Sequence, residues 1–108
     1  MTNQISVTLS KPLKTHDGEK SVIILKEPKA KLFFDHGEPF KAKVTTDQND
    51  KTNIEFDYNN PIMARFMAAM SGIDDLILGD LTASDYLTLR VKATYFIMGM
   101  VGADPIEA

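Results

Sequence analysis

Ile5, Val7 and Leu9 alternate with Ser6, Thr8 and Ser10. A period of two predicts a strand with one buried face. Residues 15–19 supply a turn, in which Gly18 can take a positive φ. The β-branched run Val22, Ile23 and Ile24, closed by Leu25, predicts a returning strand paired antiparallel with the first. Pro28 suits the first position of a short helix, where its missing N–H costs nothing, and Leu32, Phe33 and Phe34 would be the buried side. His36, Gly37 and Pro39 end it. Residues 41–46 and 53–58 alternate again around the turn-rich stretch 47–51. The direct reading is a second hairpin with Ile54, Phe56 and Tyr58 on one face, and the alternative is an elaborated loop.

The period then changes. Asn60 as N-cap and Pro61 at the first helical position open a helix. Ile62, Met63, Phe66, Met67 and Met70 form its apolar stripe, and Gly72 suits the position just past its end. A later helix opens on a capping box with Asp in place of Glu: Thr82 is the N-cap and Asp85 the third helical residue. Leu81 and Tyr86 are spaced as a hydrophobic staple. This helix should run to about Met100, stopped by Gly102 and Pro105, with Gly99 inside it costing roughly 1 kcal/mol relative to Ala. The pattern predicts an α+β fold. One or two N-terminal antiparallel hairpins pack against two or three helices, the longest of them C-terminal, in a single domain over residues 1–108.

Composition narrows the class. A hydrophobic content of 44% with 25% charged residues suits a soluble globular protein. The longest apolar stretch, residues 95–103, is far short of the ~20 needed to span a bilayer, and the N-terminus has no secretory-signal pattern. With no cysteine, disulfides and thiolate metal sites are excluded, which fits a reducing cytoplasm. The net charge of −3 argues against non-specific nucleic-acid binding. It hides an asymmetry. Residues 1–45 carry eight Lys against five acids, whereas residues 46–108 carry four Lys/Arg against ten. That asymmetry permits head-to-tail self-association, or marks two differently charged faces of one domain.

Candidate chemistry is sparse. His16 beside Asp17 and His36 beside Asp35 are the only histidines, and their spacing matches no metal-ligand motif. Asp74, Asp75, Asp80 and Asp85 lack the calcium-loop pattern and suit helix starts. Residues 99–102 imitate a GXXG clamp with apolar middle residues. No nucleophile has an identifiable base, so an enzyme is not expected, and neither is a metal or cofactor. The methionines beyond Met1 all fall in the two C-terminal helices. They form either a two-helix core or a pliable surface for an apolar helical partner. On the second reading the partner-binding residues are Met63, Phe66, Met67, Met70 and Met98.

Two signatures carry a resemblance. The first is residues 5–12, ending Ser10-Lys11-Pro12, followed by Gly18-Glu19 and residues 21–28. The second is residues 71–86, ending in the capped segment from Leu81 to Tyr86. In this order and at this length the chain resembles the small tail assembly chaperones of tailed bacteriophages, over roughly residues 5–34 and 62–98. Residues 40–60 lie outside the resemblance. The resemblance implies a chaperone that binds the long tape measure protein and keeps it soluble while tail tube protein polymerises around it. It also implies a phage or prophage product that acts in the host cytoplasm and is absent from the mature virion. Its partner would be the tape measure protein, with tail tube protein and a frameshift-extended form of the chain as further candidates. A prophage-encoded interaction module without chaperone role is the alternative, and a small metal-dependent enzyme using His16 and His36 is the third.

Overall fold

The computed structural model describes residues 4–99. Two antiparallel hairpins and four helices follow the order expected of an α+β chain: β1 Gln4–Thr15, β2 Gly18–Lys26, α1 Lys31–His36, β3 Phe40–Thr46, β4 Thr52–Tyr58, α2 Asn60–Ser71, α3 Asp75–Leu78 and α4 Ala83–Ile97. Among the described residues β1 pairs only with β2, and β3 only with β4. Among the described residues α4 is the longest helix, and no helix is long and apolar enough to cross a membrane.

The first hairpin is longer than its alternating core. His16 and Asp17 make the turn, and Gly18 takes φ +107°. Val7 faces Ile23 and Ile5 faces Leu25 across the ladder, so the alternation puts these side chains on one covered face. The register breaks between Thr8 and Leu13. Ser10, Lys11 and Pro12 therefore lie in a bulge, where proline's missing N–H interrupts no ladder bond.

α2 lies across this covered face. Met63, Phe66 and Met67 are fully buried and Met70 is 3% exposed. Val7, Ile23, Leu25, Leu89, Ala93 and Phe96 complete the same core, so α4 closes it from the β1 side. The helix boundaries depart from the sequence reading in three places. First, Asn59, not Asn60, caps α2: its Oδ1 accepts from the Ile62 N–H at 3.2 Å. Asn59 is extended, as an N-cap must be, which leaves the Asn60 side chain for another contact. Second, α1 begins at Lys31, and Pro28 precedes it in the connection. None of its residues is buried. Phe33 meets Phe66 edge-on at 4.9 Å, while Phe34 is 83% exposed. Consecutive helical residues point about 100° apart, so three in a row cannot share one face: Leu32 packs against the core and Phe34 points away. Third, α4 ends at Ile97, and Gly99 follows with φ +79°. Gly99 is thus a terminating residue in the left-handed region, not a weak point inside a helix. Met100, Gly102 and Pro105, expected to mark that end, lie outside the described residues, as does the second glycine of the GXXG-like run. Gly72 ends α2 as expected, with φ +74° and its N–H bonded to Ala68 O at 2.8 Å.

Candidate partner-binding surface

The second hairpin projects from this core. Its register pairs Phe40 with Tyr58, Ala42 with Phe56 and Val44 with Ile54, so one face is apolar up to the Thr46–Thr52 pair at its tip. Lys41 opposite Asp57 and Lys43 opposite Glu55 occupy the other face. The aromatic rings interlock near its base. Phe40 lies 5.5 Å from Phe56 and 5.8 Å from Tyr58, in edge and tilted geometries.

α4 holds that base. Thr94 Oγ1 donates to Arg90 O at 2.7 Å, so it accepts from the Tyr58 hydroxyl at 2.8 Å. The Arg90 guanidinium stacks 3.9 Å over the Tyr58 ring and donates through Nη1 to Asn60 Oδ1 at 3.1 Å. Tyr86 donates to the same Asn60 oxygen at 2.6 Å, which is the contact that the earlier start of α2 releases Asn60 to make. Burial pushes the Tyr86 phenol above its usual range, against the opposing pull of Arg90. Phe56 meets Tyr95 edge-on at 6.0 Å.

Beyond this clamp the apolar surface continues, exposed at its ends and half-buried at Val91 and Tyr95. Leu87, Val91, Tyr95 and Met98 recur along one side of α4 at helical spacing. Leu87 is 48% and Met98 39% exposed. Toward the hairpin tip, Val44 is 64% and Ile54 48% exposed. Isolated exposed apolar residues are ordinary, but a helix stripe joined to a sheet face through Tyr95 and Phe56 is the pattern of a docking surface.

The five residues singled out in the sequence divide. Met63, Phe66, Met67 and Met70 are core side chains against hairpin 1 and α4; the first three are fully buried, and Met70 keeps a small edge on a cavity beside Pro28. Met98 lies on the exposed stripe. The sequence reading traces no stripe along the C-terminal helix and so does not name Leu87 and Val91; α4 is apolar on two sides, with Leu89, Ala93 and Phe96 on the buried one. Val44 was overlooked although it alternates in register with Ile54.

The capping segment makes a contact that its spacing does not announce. The Thr82 hydroxyl accepts from the Asp85 N–H at 3.1 Å, which is half of the expected capping box. The Asp85 carboxylate turns to the β1 bulge. It accepts from Ser10 N–H at 2.9 and 3.1 Å, from the Ser10 hydroxyl at 3.0 Å and from Lys11 N–H at 3.3 Å. The Ser10 amide, above all, holds this carboxyl below its ordinary range, with the Ser10 hydroxyl and the Lys11 amide adding to it.

The histidines sit on separate elements. His16 lines a small cavity with Gly72 and Asp74, and His36 ends α1. The Leu76 N–H bond chiefly holds the Asp74 carboxyl low, and His16 adds a minor attraction. Among the described residues no three His, Cys, Asp or Glu side chains converge as a metal site would require. No family model matches the chain, and comparison with curated proteins and with solved structures finds no match.

Proposed function

We propose that this chain is a tail assembly chaperone of a tailed phage or prophage, binding the tape measure protein and holding it soluble while the tail tube assembles. One observation supports the reading above the others. The two signatures that carry the resemblance meet in space: Asp85, in the second, grips the backbone of Ser10 and Lys11, in the first. The segments that suggest the family are thus held against each other in one structural unit.

The client surface on this reading is the uncovered side of α4 with the apolar face of hairpin 2. A long helical client carries apolar stripes that aggregate when exposed. An apolar helix stripe flanked by a sheet face covers such a stripe by helix-in-groove docking. Met98 contributes an adaptable side chain there. The buried methionines of α2 serve the fold that presents this surface.

Co-expression with tape measure segments tests the proposal. Glu at Val44 and Ile54, or at Leu87 and Met98, lies on exposed positions and leaves the core intact. The client should stay soluble with the wild-type chain and precipitate with either variant. A client that precipitates equally with the wild-type chain overturns the chaperone reading. A client held by all three proteins overturns the surface assigned to it.

A further inference from the structure

We propose that copies of this chain associate head to tail, the Leu76 knob of one copy entering a lysine-rimmed cavity beside Pro28 of the next. α3 is a four-residue turn pinned by Asp74, whose Oδ1 accepts from the Leu76 N–H at 2.9 Å. Leu78, on its inner side, is buried, and Leu76 points away at 81% exposure. Asp74, Asp75 and Asp80 are exposed around it. The knob is thus one large apolar side chain ringed by negative charge.

The complementary feature lies elsewhere on the same molecule. A cavity of about 420 Å³ opens between the end of β2, α1 and α2, floored by Pro28, Leu32, Ala69 and Met70. That volume is ample for a leucine and part of a short helical turn. Lys31 and Asp35 pair with each other at 3.1 Å, which leaves Lys26 and Lys29 against Glu27 at the rim, a net positive charge. Leu76 does not fill the cavity of its own chain. α3 packs by the β1–β2 turn, where Asp74 neighbours His16, and the cavity adjoins Lys26 at the other end of β2.

An acidic apolar knob and a basic apolar socket built from different residues define a heterologous contact, which propagates from copy to copy instead of closing as a symmetric dimer. It also gives the opposite charges of the two halves of the chain a use. Edge pairing of hairpin 2 is the competing route. Its edges are open, but joining like edges sets Lys41 and Lys43, or Glu55 and Asp57, against their own kind. The contact is small, so association is weak and sensitive to salt. It is independent of the client reading.

Sedimentation and light scattering across concentration and ionic strength test it. The wild-type mass should rise above that of one chain at low salt and fall back as salt is added. Leu76→Ser should stay monomeric with an unchanged melting temperature, since the side chain is exposed. Lys26→Glu/Lys29→Glu and Asp75→Lys/Asp80→Lys should each be monomeric, because knob and socket then carry like charges. Mixing the two should restore association, each socket now meeting a knob of opposite sign. A wild-type chain monomeric at ~1 mM in low salt overturns the proposal. So does Leu76→Ser associating like wild type, or a mixture of the charge variants that stays monomeric although both are folded by circular dichroism.

Discussion

The carboxylate of Asp85 accepts both the backbone N–H and the hydroxyl of Ser10, a residue 75 positions earlier in the chain. This contact fastens the start of α4 to the β1 bulge. Without it the Ser10 and Lys11 N–H groups would lose their partner at a partly buried seam. Asp85→Ala should therefore lower the melting temperature by more than Thr82→Ala. A screened interaction with the helix dipole alone would give the opposite order. Thr82→Ala removes one cap bond and should cost about 1 kcal/mol. That corresponds to about 4–8 °C in a domain of this size. Thermal melts of the two variants side by side decide the order.

The same carboxylate makes stability depend on acidity. Its folded pKa is depressed below the ordinary 3.8. Its contribution is therefore fully present above that value and is lost as pH falls through the folded pKa. The stability gap between wild type and Asp85→Asn should be widest at neutral pH and shrink below about pH 4. Some acid sensitivity should persist in the variant, since Asp74 is depressed as well. A gap that stays constant down to pH 2.5 would show that the charge of Asp85 contributes nothing.

Hairpin 2 should open separately from the core. Its base is held by the Tyr58–Thr94 hydrogen bond and by Arg90 stacked on Tyr58. Tyr58→Phe removes a bond worth about 1 kcal/mol, and Arg90→Ala removes the stacking and the tie to Asn60 together. Native-state hydrogen exchange should speed up at the amides of β3 and β4 in both variants, more in Arg90→Ala. Amides of β1 and β2 should change little. Uniform acceleration across both hairpins would mean that the chain opens as one unit.

Met67 and Val44 separate core from surface. Met67 is fully buried, and Met67→Ala should cost about 2–5 kcal/mol through lost contacts and the cavity left behind. Val44→Glu, at 64% exposure, should change the melting temperature little. If Met67→Ala melts like wild type, the methionine stripe is not the core.

Local chemistry in the sequence was enough for much of the fold. Alternation at Ile5, Val7 and Leu9 specified a half-buried strand, because side chains of a strand point to its two faces in turn. The stripe from Met63 to Met70 specified a helix, and Thr82 a helix start, since its hydroxyl satisfies an N–H only three residues on. The alternation around residues 47–51 left a hairpin and an elaborated loop both open, and the cross-strand pairing decided for the hairpin. These are relationships within one or two turns of chain. What the tertiary structure decided lies between distant segments. Pattern alone could not say whether the methionine stripe faces a core or a partner, because burying apolar area against hairpin 1 and against a client is the same physics. Nor could it place the Asp85 carboxylate. A helix N-terminus and a bulge amide both attract an anion, and only the approach of β1 to α4 let the bulge win. The exposed stripe of α4 was hidden for a related reason. A helix apolar on two sides shows its outer face only once the inner one has found the core.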